Sequence, residues 1–203
     1  MLVFCEVQDA IEGFRNGEFI IVMDDESREN EGDLIIAAEH MSQDKMAFLV
    51  RYSSGFVCVP LSEEKADNLC LSTMVPNNSD KHGTAYTVTC DYRHGSTTGI
   101  SAHDRAMTVR KLADASSTAS DFDRPGHICP LRAVPGLLKQ RRGHTEAGVQ
   151  LCQLAGLQPA SAICELVRDE DGLMMRLDDC VKFAKEHNLK VTTIEKIAEY
   201  VCK

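Results

Sequence analysis

No two of the nine cysteines in this chain are spaced C-x-x-C, which excludes a zinc ribbon or a thioredoxin-type motif. No apolar run approaches the length of a membrane span, and the start MLVFCEVQDAIEGF has neither a basic patch nor a long apolar core. Neither a transmembrane helix nor a secretory leader is expected. Basic residues are short: Lys+Arg is 22 against 31 Asp+Glu, a formal net charge of -9. A duplex or an anionic membrane would repel such a surface, so nucleic acid and membrane are not expected partners. Internal repeats, low-complexity segments and Gly/Ser- or Pro-rich linkers are missing too. A single domain spanning residues 1–203 is therefore expected.

What is present reads as an ordinary globular chain, 43% hydrophobic and 26% charged. Most cysteines sit in apolar runs, such as Cys58 in FVCVP and Cys164 in AICEL. They read as small buried hydrophobes of a reducing compartment, so a cytoplasmic protein is expected. Short β-branched runs alternate with helical periodicity, the pattern of an α+β (α/β) domain with a mixed sheet covered by helices. Segments 19–23, 34–38, 56–59, 86–90, 128–134 and 162–167 read as strands. Ser42 is placed to cap a helix with Met46, Leu49 and Val50 on one face. Thr145 is placed to cap another, with Ala147, Leu151 and Leu154 in line and a stop at Gly156. Asp178 opens a third, and Thr192 with Glu195 forms a capping box for the last. Residues 115–125 read as a polar surface loop.

Two segments carry chemistry. Residues 24–33, DDESRENEGD, hold six carboxylates between two apolar strands. Carboxylates this dense repel one another, and a hard divalent cation such as Mg²⁺ would relieve the repulsion. The same run also reads as a solvated hairpin loop. Its Gly32 and its position fit a lid over a substrate. Residues 139–146, KQRRGHTE, put Arg141 and Arg142 before Gly143, His144 and Thr145. Unpaired N–H groups at a helix start, a close approach at Gly143 and an arginine fork suit a phosphate. The alternative is a plain basic loop with a surface histidine. TTGISAHDR, residues 97–105, has a weaker phosphate signature through Arg105 and Thr108, and Asp104 fits a simple cap for Ser101.

Two polar residues stand in apolar company. Glu165 in ICELV shares a strand face with Ile163 and Val167, where desolvation would suit it to acid–base work. Exposure or an arginine partner is the alternative. His127 follows a Pro-Gly turn and either reaches a cleft or is structural.

In this order and spacing, DDESRENEGDL, TTGISAHDRA, RPGHICPL, RRGHTEA and ICELV resemble 3,4-dihydroxy-2-butanone 4-phosphate synthase over nearly the whole chain. RYSSGFVCVPL and VRDEDGLMMRLDD resemble the fungal form, without the fused GTP cyclohydrolase II domain of many relatives. The resemblance implies a homodimer with its site near the subunit interface, using one or two Mg²⁺ or Mn²⁺ ions. It implies conversion of ribulose 5-phosphate to 3,4-dihydroxy-2-butanone 4-phosphate and formate, supplying four carbons to riboflavin. It implies metal ligation by Glu29 and His144. Substrate contacts are expected from Arg28, Glu29, Asp33, Arg141, Arg142, Gly143, His144, Thr145 and Glu165, with Thr108 as the weaker candidate. His127, Glu165 and Asp33 are the expected catalytic residues; Cys58 lies near the site without acting as a nucleophile. One departure is Gly148 in TEAGVQL, where the family more often has Ala, although Gly inside a helix costs up to about 1 kcal/mol. The rival readings are a cation- or phosphate-binding module without turnover, and another sugar-phosphate isomerase or aldolase. The aldolase version lacks a Schiff-base lysine in an apolar strand.

Overall fold

A computed structural model describes residues 4–202. The chain runs α1 (Val7–Arg15), β1 (Ile20–Met23), β2 (Gly32–Ala37), α2 (Gln43–Tyr52), β3 (Cys58–Leu61), α3 (Glu63–Asn68), β4 (Cys90–Tyr92) and α4 (Ala102–Ala113). It continues through β5 (Phe122–Arg132), α5 (His144–Ala155), β6 (Ser161–Glu165), α6 (Leu177–His187), β7 (Lys190–Thr193) and α7 (Ile194–Val201). The strands form one mixed sheet in the order β4-β5-β3-β6-β2-β1-β7. β1 runs parallel to β7 and β3 to β5, while β2 is antiparallel to both β1 and β6.

Side-chain alternation sorts the sheet into two covered faces. Ile21, Met23, Leu34 and Ile36 pack with α2, α4 and α6; Ile20, Val22, Ile35 and Ile163 pack with α1, α5 and α7. Each fully buried Ile or Leu contributes roughly 1.5–3 kcal/mol of transfer free energy. Six of the nine free cysteines are buried within this packing. Among the described residues, no helix is long and apolar enough to cross a membrane.

Several boundaries differ from those read in the sequence. Gly143 caps α5 and Thr145 lies inside its first turn. Thr193, not Thr192, caps α7, accepting from the Lys196 amide at 3.1 Å. Arg176, not Asp178, precedes α6. The expected loop at 115–125 ends early, because β5 already begins at Phe122. Of the strand expected at 86–90 only Cys90 lies in β4; Tyr86 and Thr87 make isolated bridges. Gly32 and Asp33 belong to β2, so the acidic loop is shorter than the acidic run.

The structure accounts for Gly148. A Cβ there would lie 2.2 Å from Ser161 Oγ, a buried hydroxyl without a hydrogen-bond partner. Gly148→Ala is therefore expected to lower stability by about 1–3 kcal/mol despite Ala's better helix propensity. Adding Ser161→Ala removes the obstructing oxygen and should recover most of the loss, the Cβ of residue 161 remaining 3.2 Å away. Thermal unfolding of the parent, both single variants and the double variant checks this; an unchanged midpoint for Gly148→Ala alone would contradict it.

Candidate active site

The site forms where the N-terminus of α5 meets the ends of β2 and β6. Asp33 and Glu165 are cross-strand partners. Alternation puts Asp33 on the face of Ile35 and Glu165 on that of Ile163, the face α5 covers. His144, the first residue of α5, points back at the sheet. Its Nε2 lies 3.0 Å from the Val22 carbonyl oxygen. A carbonyl only accepts, so Nε2 carries hydrogen and Nδ1 faces the carboxylates. Nδ1 is 3.8 Å from Glu29 Oε2 and 3.7 Å from Asp33 Oδ1.

The acidic loop is held in place from within and without. Asp24 accepts the amide hydrogens of Glu29 at 3.0 Å and of Glu31 at 2.9 Å. Arg28 pairs with Asp24 at 3.0 Å and also with Glu29. Arg176 donates to the carbonyls of Glu29 and Asn30. These bonds turn Glu29 and Glu31 inward rather than leaving a solvated hairpin.

The crowding shows in protonation. Burial pushes Glu29 upward, but His144 and Arg28 outweigh it and hold its pKa at about 2. Burial lifts Glu31 to about 7 against the pull of His144, with help from Glu29, Glu165 and Asp24. Burial also drives Asp33 well above the ordinary carboxylate range, opposed by His144. Burial works against a charged His144, yet Asp33, Glu29 and Asp24 prevail and raise it to about 9.

This donor set fits a divalent cation. Asp24, Glu29 and His144 offer ligand atoms within 4.8 Å of one another, and so do Glu31, Asp33 and His144. Asp33 Oδ1 is buried with no hydrogen-bond partner, an orphan acceptor that a cation would satisfy. The Val22 carbonyl orients the imidazole as outer partners of metal-binding histidines do. The cleft is lined by Arg28, Glu29, Glu31, Asp33, Cys58, Arg141, His144, Thr145 and Glu165, with Thr84 and Tyr86.

The family model for 3,4-dihydroxy-2-butanone 4-phosphate synthase matches residues 8–200. The chain belongs to the 3,4-dihydroxy-2-butanone 4-phosphate synthase family. A synthase of this name from Candida albicans is 67% identical over 201 residues, covering 99% of this chain and 98% of its own. The crystal structure of the Candida albicans synthase aligns with a TM-score of 0.94 at 65% identity, covering 100% of both chains. A synthase structure in complex with two magnesium ions aligns at 0.94 and 51% identity, covering 98% of this chain and 97% of that one.

Within this synthase fold, the expected residues do not all converge. Glu165 is only half-buried, with Ser54 donating to its Oε2 at 2.7 Å, rather than desolvated. Arg141 reaches the cleft, held by Glu146 at 2.5 Å and donating to Thr84 Oγ1 at 3.0 Å. Gly143 leaves room for that guanidinium, since a Cβ would lie 2.3 Å from Arg141 Nη1. Arg142 points away and pairs with Glu195 of α7. Thr108 is buried and its hydroxyl is committed, accepting from the Tyr92 amide at 2.9 Å and donating to the Asp104 carbonyl at 3.0 Å. It has no capacity left for a phosphate in this arrangement. Ser101 caps α4, its hydroxyl accepting the Asp104 amide hydrogen at 3.0 Å, and the Asp104 carboxylate accepts from the Thr97 hydroxyl at 2.7 Å. Arg105 donates to the Gly55 carbonyl. His127 sits on β5, 40% exposed at its side chain, and is not among the cleft-lining residues. Glu31, Thr84 and Tyr86 were not singled out from sequence. Glu31 was visible as one carboxylate of the acidic run, whereas Thr84 left no signal.

Proposed function

We propose that this chain, as one domain, converts D-ribulose 5-phosphate to L-3,4-dihydroxy-2-butanone 4-phosphate and formate with Mg²⁺ or Mn²⁺. The observation that carries this reading is the convergence of Asp24, Glu29, Glu31 and Asp33 on His144, with Glu165 and two arginines lining the same cleft. Glu29 and His144 would hold the cation, with Asp24, Glu31 and Asp33 within reach. When bound, the cation supplies Lewis acidity that polarises the C2 carbonyl and makes the C3 proton acidic. Arg141, Gly143 and Thr145 at the α5 N-terminus, with Arg28 from the acidic loop, would bind the anionic end of the substrate. Asp33 and Glu165 would carry protons to and from C3 and the departing hydroxyl. Their neighbouring positions across β2 and β6 let one carboxyl hold a proton while the other accepts one. Incubation with ribulose 5-phosphate and Mg²⁺ tests the reading: formate is expected. A rearranged pentose or two trioses would instead indicate an isomerase or aldolase, and an unchanged substrate a binding module without turnover.

The chain acts, on this reading, as a homodimer in the cytoplasm. Supporting the compartment, all nine cysteines are free. Supporting the dimer, His127 is exposed and does not line the cleft, and apolar Phe56 and Ile100, each 51% exposed, adjoin β5 through Val57, which bonds Cys129, and Gly99, which packs on His127. A second copy covering this patch would bring His127 to its partner's cleft. Mixing inactive Glu29→Gln with inactive His127→Gln protein under exchange conditions should then restore about a quarter of wild-type activity, because each mixed dimer keeps one intact site. No recovery in exchanged dimers would mean that His127 serves its own subunit's cleft or none.

A further inference from the structure

We propose that Arg176 is a positioning residue for the metal ligands, a latch on the acidic loop that holds it in its cation-ready shape. The inference rests on the metal reading of Glu29 and His144 above and adds a residue that does not line the cleft. Arg176 is exposed at the start of α6. Its guanidinium donates from one nitrogen, Nη1, to two successive carbonyls, that of Glu29 at 2.8 Å and that of Asn30. In extended backbone successive carbonyls point to opposite sides, so one donor could not serve both. Asn30 is instead left-handed, with φ 54°, a conformation asparagine adopts more readily than most residues. The turn swings both carbonyls toward Arg176, while the side chains of Glu29 and Glu31 on either side of it reach His144.

Two arginines hold this loop, and they act differently. Arg28 pairs with the Glu29 carboxylate itself and so competes with a cation for that oxygen. The Arg176 guanidinium engages backbone oxygens, leaves the carboxylates open, and keeps its charge beside the acidic run. The latch is also anchored on the strands that carry Asp33 and Glu165. Leu166, next to Glu165, donates its amide hydrogen to the carbonyl of Gly32, next to Asp33, at 2.9 Å. The Leu166 carbonyl accepts from the amide of Met175, one residue before Arg176, at 2.9 Å. Between them the chain doubles back, with Arg168 donating to the Leu173 carbonyl at 2.8 Å and a bridge joining Val167 to Met174. Backbone bonds thus fix where Arg176 stands. Its own amide donates to Asp179 Oδ2 at 3.2 Å, so α6 keeps its start when the Arg176 side chain is changed.

The test uses full-length protein. Isothermal titration of the wild type with Mg²⁺, with Glu29→Gln identifying the site, sets the reference affinity. Arg176→Met should weaken Mg²⁺ binding about 10-fold, the scale of losing a group that orients a ligand. At saturating Mg²⁺ its kcat for formate release should change by less than about threefold, because the ligands themselves remain. Arg176→Lys keeps the charge and a donor and should recover part of the affinity. Asn30→Val, whose branched side chain resists a positive φ, should reproduce the loss. In metal-free protein, Arg176→Met should speed hydrogen exchange at the Glu29 and Glu31 amides, which Asp24 otherwise holds. A folded Arg176→Met protein with unchanged Mg²⁺ affinity would overturn the proposal, even if its thermal midpoint fell. So would weakened affinity with the two amides exchanging as in the wild type. If the wild type binds Mg²⁺ through Glu29 yet releases no formate, the enzymatic reading fails, and the affinities still decide the role of Arg176. If Glu29→Gln binds Mg²⁺ as the wild type does, the metal reading fails, and the exchange rates still decide whether Arg176 holds the loop.

Discussion

Glu29→Gln and His144→Gln are each expected to lower formate release from ribulose 5-phosphate by about 10²–10³-fold, the scale of losing one aligned charge-stabilising contact. The two residues lie on different elements and meet only through the fold, with His144 Nδ1 3.8 Å from Glu29 Oε2. Each offers a candidate ligand atom, and Gln puts only a neutral amide in its place. Gln keeps the volume of Glu29 but removes its charge, so Arg28 and Asp24 remain to hold the loop. Circular dichroism should report an unchanged fold for Glu29→Gln. Isothermal titration with Mg²⁺ should show weakened binding for both variants. Near-normal turnover in either folded variant would remove the metal reading of this cluster.

Exchange of the substrate C3 proton with solvent is the second large expected effect. It isolates the first proton transfer from the later carbon shift. If Asp33 and Glu165 carry protons at this centre, Asp33→Asn and Glu165→Gln should between them depress exchange by about 10²–10⁴-fold, the usual contribution of a positioned acid or base. Asp33 is the stronger candidate for the first step, because it is buried, facing His144, and has an oxygen without a partner. Glu165 is half-buried and bonded to Ser54, a setting suited to a group that also meets solvent. Normal exchange in both variants would reassign the proton transfers, with Glu31 next in line as a buried-side carboxyl lifted to about 7.

Much of the fold was legible because its elements announce themselves locally. FIIVM and LIIAA are β-branched runs flanked by polar residues, and both became central strands. Ser42 caps α2 as read, its Oγ accepting the Lys45 amide hydrogen at 3.2 Å. β5 was harder, because FDRPGH is polar and broken by Pro-Gly, and its pairing with β4 is irregular. In the site, the acidic run and the basic turn were visible as chemistry, and the fold brings them together. What local reading cannot supply is direction. Arg141 and Arg142 are neighbours, yet one enters the cleft and the other pairs with Glu195 on α7. Thr108 looked free only because the partner that occupies its hydroxyl, the Tyr92 amide, comes from another element. Asp91 sits in CDYRHG with no motif around it, and its bond to His127 exists only across the register slip of β4 and β5.

The most direct test is an anomalous difference map from crystals soaked in Mn²⁺ and ribulose 5-phosphate. The expected result is a peak at roughly 2.0–2.3 Å from a Glu29 carboxylate oxygen and His144 Nδ1, with the sugar's oxygens completing the shell and its phosphate at Arg141 and Thr145. A peak confined to other acidic surfaces, such as the Asp169–Asp171 turn, with the Glu29–His144 cleft empty at saturating Mn²⁺, would contradict it.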